Sequence, residues 1–161
     1  MTRFGHGFDA HRLVEGRRLV LAGKVIPFER GALGHSDADV LAHAISDALL
    51  GAAALGDLGA HFPDGDPRWK DADSMMLLRT CGSKLREAGY RIVNLDATIV
   101  VDRPKLAPFL GEMRQNVAQK LGLALEDVSI KAKTSEGMGY TGDGTGIAAY
   151  AMAAIEKKER P

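Results

Sequence analysis

The sequence predicts an α+β fold, a two-layer sandwich in which a mixed β-sheet carries three helices packed on one face. Strand-like and helix-like stretches alternate along the chain, as in proteins that pack helices against a sheet. The first strand-like stretches, however, are short and meet at a turn around Gly23, which is typical of a hairpin. The chain has 161 residues, enough for a real core, and we expect a single domain over residues 1–161.

The N-terminal region is predicted to be mainly strand. Residues 2–11 form the first predicted strand. Residues 17–22 and 24–27 form a short hairpin, and residues 28–36 are predicted to be a loop.

The first predicted helix follows this loop. Ser36 is a good N-cap, and Asp39, three residues on, gives an acidic variant of the capping box. Gly56 and Gly59 then end the helix, and a turn-rich acidic loop runs from residue 62 to about residue 71. The apolar residues at helical spacing are Val40, Leu41, Ala44, Ile45, Ala48, Leu49 and Ala52.

The middle of the chain predicts two more helices with a strand between them. Asp73 or Ser74 caps the second helix, which Gly89 ends. Residues 90–101 are rich in β-formers and predict a strand. Pro108 lies in the first turn of a third helix, which runs to about Leu121.

The last part of the chain contains a strand, a glycine-rich loop and one ambiguous segment. Residues 128–133 alternate between apolar and polar and predict a strand. Residues 134–146 are rich in glycine, so their backbone can approach a ligand closely. Residues 147–157 fit a helix by their alanine content and a strand by their alternation.

Composition excludes several classes of function. Lys and Arg number 21 and Asp and Glu number 21, so there is no broad basic surface and we expect no nucleic-acid partner. Zero net charge permits self-association. No apolar stretch is long enough to span a membrane. Cys81 is the only cysteine, so we expect no intrachain disulfide and a reducing, cytoplasmic location.

The histidines predict one chemical locus. They occupy positions 6, 11, 35, 43 and 61, and none follows. In a strand, Asp9 and His11 point to the same face, and His43 lies on the first helix. Two ligands from a strand and one from a helix make the three N/O ligands of a catalytic zinc site. The alternative is a helix-surface His43 paired with Asp39 or Asp47, and Asp47 could instead orient a zinc-bound imidazole.

Other segments suit phosphate, each with a plain alternative. Residues 35–39 lie at a predicted helix N-terminus, and such an end suits a phosphate. The alternative is that these residues only cap the helix and bind no ligand. Lys131, Lys133 and Glu136 flank the glycine-rich loop, which suits a phosphate with magnesium or is simply solvated. Residues 103–105 contact phosphate or form a basic turn. The residues alone support a zinc-dependent enzyme acting on a phosphorylated small molecule, without naming the reaction.

These motifs in this order resemble the family of 2-C-methyl-D-erythritol 2,4-cyclodiphosphate synthases, enzymes of the non-mevalonate isoprenoid pathway. The resemblance covers nearly the whole chain. The segments that carry it are residues 5–11, 35–39, 49–59, 62–64, 103–106 and 131–136.

The resemblance implies a lyase that converts 4-diphosphocytidyl-2-C-methyl-D-erythritol 2-phosphate to the 2,4-cyclodiphosphate with release of CMP. It implies zinc on Asp9, His11 and His43, and magnesium or manganese held by Glu136 with the substrate diphosphate. His35 and Thr134 would stabilise the transition state. Family members are homotrimers with sites at the subunit interfaces, and their last segment is a strand.

The resemblance also implies a set of substrate-binding residues. Tyr140, in this set, stands where the family often has Phe. The set comprises Asp9, His11, His35, Ser36, Asp57, Leu58, Gly59, Phe62, Pro63, Asp64, Gly65, Asp66, Val101, Asp102, Arg103, Pro104, Lys105, Leu106, Ala107, Lys133, Thr134, Ser135, Glu136 and Tyr140.

One departure from the family concerns Asp143, where many relatives have an Arg that binds anions near the trimer axis. An anion in place of a cation reverses the field there, so we expect no isoprenoid diphosphate at the axis. Two rival functions use the same residues. A zinc phosphohydrolase would activate water and yield a linear product, and a non-catalytic trimer would bind diphosphates without releasing CMP.

Overall fold

The computed structural model describes residues 1–158 and consists of seven strands and five α-helices. The strands are β1 Thr2–Glu15, β2 Leu19–Leu21, β3 Lys24–Ile26, β4 Arg30–Ala32, β5 Tyr90–Val100, β6 Val128–Lys133 and β7 Gly146–Lys157. The helices are α1 Val40–Ala52, α2 Leu58–His61, α3 Ser74–Glu87, α4 Leu110–Leu121 and α5 Gly139–Gly142. Short 3-10 turns lie at Pro67–Trp69, Ala107–Phe109 and Leu125–Asp127.

Five strands form one mixed sheet in the order β4-β1-β7-β5-β6. β7 pairs antiparallel with both β1 and β5, whereas β5 and β6 are parallel. β2 and β3 form a separate hairpin. Helix α1 packs on β1 and β7, α3 packs on α1 and α4, and α4 packs on β6. The predicted α+β fold with a mixed sheet is therefore confirmed, and residues 147–157 are strand.

Several predicted boundaries were wrong. Ser36 does not cap α1, because Asp39 is the N-cap and accepts a hydrogen bond from the amide of Ala42. The predicted loop 28–36 contains β4, which pairs with the end of β1 and extends that strand to Glu15. Pro108 lies in a 3-10 turn before α4. The predicted stop of the first helix at Gly56 and Gly59 was also wrong, because α1 ends at Ala52 with Ala53 as its C-cap and Gly59 lies within the short helix α2.

Helix α1 approaches β1 unusually closely because two strand residues lack side chains. A Cβ added to Gly7 would lie 1.9 Å from the carbonyl oxygen of Ala44, and one added to Gly5 would lie 2.0 Å from that of Ala48. By strand alternation, these glycines share the face of Asp9 and His11. The close approach therefore brings α1 directly over the face that ends in Asp9 and His11.

The sheet face opposite α1 carries large apolar side chains that remain exposed. Phe4 and Phe8 on β1 are 69% and 45% exposed, and Tyr150 and Met152 on β7 are 43% and 45% exposed. Phe8 lies opposite Tyr150 in the strand register. Contiguous exposed apolar surface is typical of an interaction site. Within residues 1–158, no helix is both long enough and apolar enough to cross a bilayer.

Candidate metal centre

Three side chains from β1 and α1 converge on one point. Oδ2 of Asp9 lies 2.9 Å from Nε2 of His11 and 2.8 Å from Nδ1 of His43. The two histidine nitrogens are 3.4 Å apart. A tetrahedral zinc with ligands at about 2.1 Å separates its donor atoms by about 3.4 Å. The triangle is therefore close to the size that zinc requires.

Outer contacts orient the ligands as a metal site needs. Nδ1 of His11 lies 3.0 Å from the carbonyl oxygen of Leu33. Since a carbonyl only accepts, Nδ1 carries the proton, and Nε2 presents its lone pair to the centre. Oδ1 of Asp9 accepts the amide of Ala10 at 2.9 Å, which leaves Oδ2 for the centre. The residues fit a bound zinc ion.

The electrostatics of the triad also favour a cation. Burial opposes the charged form of Asp9, but its hydrogen bonds with His11 and His43 outweigh this and lower its pKa to about 2. Burial likewise opposes the charged form of His43, yet the contact with Asp9 raises the pKa of His43. A carboxylate and two imidazoles drawn to one point make an environment that a divalent cation satisfies.

The triad lies at the wall of a cavity of about 390 Å³. The lining combines triad residues, loop residues and an aromatic wall. It consists of Asp9, His11, Gly34, His35, Ser36, His43, Asp47, Leu58, Gly59, Phe62, Asp64, Trp69 and Leu77. A larger cavity of about 480 Å³ lies between the hairpin and α4 and contains no triad residue, so the chemistry, not the size, identifies the site.

The predicted substrate-binding residues near the triad divide into two sets. His35, Ser36, Leu58, Gly59, Phe62 and Asp64 line the cavity. Asp57, Pro63, Gly65 and Asp66 belong to the same region without lining it. Asp57 caps α2 through the amide of Ala60, and Asp66 pairs with Arg68.

Trp69 and Leu77 in the cavity wall were missed from sequence. Trp69 is the only tryptophan and packs edge-on against Phe62, with ring centroids 5.0 Å apart. Among residues 1–158, Nε2 of His35 and Nε1 of Trp69 are buried without a hydrogen-bond partner. Unpaired buried polar atoms are costly, so a ligand that reaches them gains affinity.

The alternative in which a surface His43 pairs with Asp39 or Asp47 is not the arrangement in the structure, where His43 contacts Asp9. Asp39 is fully buried and accepts the amides of Ala42 and Gly23 at 3.0 and 2.9 Å. Asp47 accepts the amide of Leu58 at 2.7 Å. Asp39 caps the start of α1, and Asp47 joins the middle of α1 to the start of α2. The outer nitrogen of His43 instead faces Ser36 and Ser74.

The second group of predicted site residues lies far from the triad within one chain. Asp9 is level with residue 132 of β6 across the register, and three strand spacings separate β1 from β6. At about 4.8 Å per spacing, this is about 14 Å. Thr134 and Glu136, just beyond β6, contact each other at 2.8 Å.

The segments around Thr134 form their own surface. Asp102 accepts the amides of Ser135 and Gly137 at 2.6 and 2.8 Å, which joins residues 101–107 to the loop after β6. Asp102, Arg103 and Asp143 share a cavity of about 280 Å³. Val101 and Leu106 are buried, whereas Arg103, Pro104, Lys105, Ala107, Lys133 and Tyr140 are at least partly exposed.

Fold and site together define an α+β protein with an Asp-His-His group that could hold a metal ion beside a polar cavity. The model of the YgbB family matches residues 2–156. The 2-C-methyl-D-erythritol 2,4-cyclodiphosphate synthase of Moorella thermoacetica is 56% identical over 157 residues, 98% of this chain and 96% of that protein. The chain therefore belongs to the YgbB family, and the resemblance inferred from sequence is confirmed.

Solved structures agree with this assignment. The bifunctional IspDF of Campylobacter jejuni matches with a TM-score of 0.95 and 40% identity, covering 99% of this chain. This chain spans only 43% of that bifunctional chain. A CDP-bound 2-C-methyl-D-erythritol 2,4-cyclodiphosphate synthase matches with a TM-score of 0.88 and 38% identity, covering 96% of this chain and all of the other.

Proposed function

We propose that this chain is a lyase that converts 4-diphosphocytidyl-2-C-methyl-D-erythritol 2-phosphate to 2-C-methyl-D-erythritol 2,4-cyclodiphosphate and CMP. The observation that carries the proposal is the intact Asp9, His11 and His43 triad beside the cavity. High identity to synthases of this name supports the same assignment. An oxygen of the 2-phosphate bonds to the β-phosphorus as the bond from that phosphorus to the CMP oxygen breaks.

The protein's main task in this reaction is to position like charges and neutralise them. Asp9, His11 and His43 would hold zinc, which supplies a Lewis acid and a template for the diphosphate. Glu136 would hold magnesium or manganese together with the substrate. His35 lines the cavity and its buried Nε2 has no hydrogen-bond partner. His35 would donate a hydrogen bond to a phosphoryl oxygen, and Thr134 would do so from the other side.

The active assembly is a homotrimer with sites between subunits. The register places Ala132, two residues before Thr134, about 14 Å from Asp9 in one chain. Thr134 and Glu136 follow the end of that distant strand, so they would not reach the same phosphorus as the triad of their own chain. A neighbouring copy would supply them, with the cytidine pocket of residues 101–107. The exposed face of Phe4, Phe8, Tyr150 and Met152 is the apolar surface that such an assembly would cover.

The remaining assignments concern the chain as a whole. A single domain over residues 1–161 agrees with a family match over residues 2–156. A cytoplasmic location agrees with Cys81, which is fully buried and has its pKa raised to about 11 by that burial. A buried thiol with a raised pKa is unreactive and stays reduced.

A zinc-retention and turnover assay tests the proposal. His43→Ala should lose both bound zinc, measured by mass spectrometry of the metal content, and release of CMP. His61→Gln is the control, because Nε2 of His61 contacts the carbonyl oxygen of Leu55 and no triad residue. Full CMP release by the wild-type protein in zinc-free buffer would contradict the zinc assignment.

Subunit mixing tests the shared site. His43→Ala and Thr134→Ala should each be inactive alone. In co-assembled trimers, an interface that combines an intact triad with an intact Thr134 forms about one time in four, so about a quarter of the activity should return. Absence of any recovery in verified mixed trimers would place the whole site within one chain.

A further inference from the structure

The outer nitrogen of His43 begins a chain of hydrogen bonds that leads away from the cavity. Nε2 of His43 lies 2.8 Å from Oγ of Ser74. Oγ of Ser74 in turn makes a short hydrogen bond to Oδ1 of Asp37, and Oδ2 of Asp37 accepts the amide of Ser74 at 3.1 Å. Ser74 has no exposed surface and is the first residue of α3.

The chemistry of these groups fixes where the protons lie. A carboxylate only accepts, so the single hydroxyl proton of Ser74 goes to Asp37. The oxygen of Ser74 must then accept from His43, which puts a proton on Nε2 of His43. Nδ1 is then the nitrogen that faces Asp9 and His11, and its lone pair becomes available to a cation that displaces the proton it shares with Asp9. Oγ of Ser36 is an alternative acceptor for Nε2, but at 3.2 Å it is the longer contact.

We propose that Ser74 and Asp37 are positioning residues for His43, holding its ring and its tautomer so that Nδ1 faces the bound metal. The inference rests on the proposed function, because it assumes a metal at the triad. Ligating histidines commonly donate their second N–H to an acceptor, and losing that acceptor weakens metal binding about 10- to 100-fold. Here the acceptor is a serine, itself oriented by a carboxylate.

The hydrogen-bond relay from His43 through Ser74 to Asp37 joins three separate parts of the chain. Asp37 lies in the loop before α1, His43 lies on α1, and Ser74 begins α3. The amide of Asp37 also donates to the carbonyl oxygen of Ala72 at 3.1 Å, next to the start of α3. Because the loop and α3 are already tied together by backbone contacts, loss of one hydroxyl should disturb His43 more than it disturbs the fold.

The test is zinc affinity of the full-length protein, measured by competition with a chromogenic chelator after metal removal. Ser74→Ala should weaken zinc binding about 10- to 100-fold. Ser74→Thr, which keeps the hydroxyl, should recover most of that loss. Ser46→Ala is the matched control, because Ser46 is equally buried on α1 but its hydroxyl donates to the carbonyl oxygen of Ala42. Its zinc affinity should equal that of the wild type.

A second readout separates positioning from general loosening. The visible spectrum of the cobalt-substituted protein reports ligand geometry, and Ser74→Ala should change it while Ser46→Ala leaves it intact. Asp37→Asn, which keeps an acceptor for the Ser74 hydroxyl but removes its charge, should weaken zinc binding several-fold and stands in if Ser74→Ala does not fold.

The outcomes distinguish the two proposals. Wild-type affinity and an unchanged cobalt spectrum in Ser74→Ala would overturn the positioning role alone. Failure of the wild-type protein to bind zinc would overturn the metal centre and this inference with it. Equal losses in Ser74→Ala and Ser46→Ala would reduce the relay to ordinary packing and also overturn the inference.

Discussion

Gly7→Ala should damage the metal centre from a position that touches no ligand. The added Cβ would lie 1.9 Å from the carbonyl oxygen of Ala44 and 2.8 Å from the amide nitrogen of Ala48. Real Cβ atoms essentially never come closer than 3.0 Å, so the helix backbone must retreat by about 1.1 Å. Ala44 follows His43 directly, so the ligand moves with the helix.

The expected effects are on stability and on zinc affinity together. Overpacking of this kind costs about 1–3 kcal/mol, and zinc sites tolerate ligand displacements of only about 0.2 Å. We therefore expect the free energy of unfolding to fall by about 2 kcal/mol or more, and zinc affinity to fall at least tenfold. Urea denaturation and chelator competition measure the two quantities.

Gly51→Ala is the matched control, because it makes the same change on the exposed side of the same helix. The nearest atom to its added Cβ is the carbonyl oxygen of His6 at 3.9 Å. It should stabilise the protein by about 0.5–1 kcal/mol, because alanine is the better helix former. If Gly7→Ala matched Gly51→Ala in both stability and zinc affinity, close helix–strand contact would not be what sets the triad.

Three further predictions concern acidic residues. Burial raises the pKa of Asp39 to about 6, so the folded state holds a proton that the unfolded state releases near pH 4. This stabilisation is present at low pH and is lost as pH rises through about 6. Relative to Asp39→Asn, the wild-type free energy of unfolding should therefore fall by about 2 kcal/mol from pH 4 to 7. A difference that stays flat with pH would refute the assignment. Glu136→Gln should raise the magnesium concentration needed for CMP release while zinc content stays unchanged, and equal loss of both metals would refute that division of roles. Hydrogen bonds from Thr145 lower the pKa of Asp143 and keep its side chain anionic, so the wild type should not bind an isoprenoid diphosphate in calorimetry. Asp143→Arg replaces this negative charge with a positive one and should bind the diphosphate. Equal binding by both proteins would contradict the charge argument.

The alternation of residues along the sequence and local residue preferences predicted the elements that depend only on neighbouring residues. Alternation and β-formers located β5 and β6, and glycines with positive φ at 89 and 122 follow α3 and α4 as expected. β4 escaped prediction because it is only three residues long and exists through pairing with β1. The last strand was ambiguous because alanine favours helix, whereas its place between β1 and β5 makes it strand.

The cap of α1 was misassigned for a similar reason. Ser36 and Asp39 are both good N-caps, and only the folded chain decides between them. Asp39 is the N-cap in the structure, and its second carboxylate oxygen also accepts a hydrogen bond from the amide of Gly23 in the hairpin turn. Ser36 is instead drawn toward His43 and Ser74.

The triad was predictable, whereas its supports were not. Strand period and clustered histidines suffice to bring Asp9, His11 and His43 together. No local sequence signal links Ser74 to His43, because the two are 31 residues apart. Asp47, four residues after His43 on the same helix, was the partner that helical spacing favoured. Trp69 left one usable signal, a lone tryptophan in an acidic loop, but only the structure brings it to the cavity wall.

The reaction itself is tested most directly by phosphorus NMR of the purified protein with the cytidyl diphosphate substrate, zinc and magnesium. The proposed synthase should yield the paired resonances of a cyclic diphosphate together with CMP in equal amount. A linear phosphate product would show that the centre activates water and would favour a phosphohydrolase. An unchanged substrate spectrum, with zinc confirmed in the protein, would contradict catalysis and favour a diphosphate-binding module.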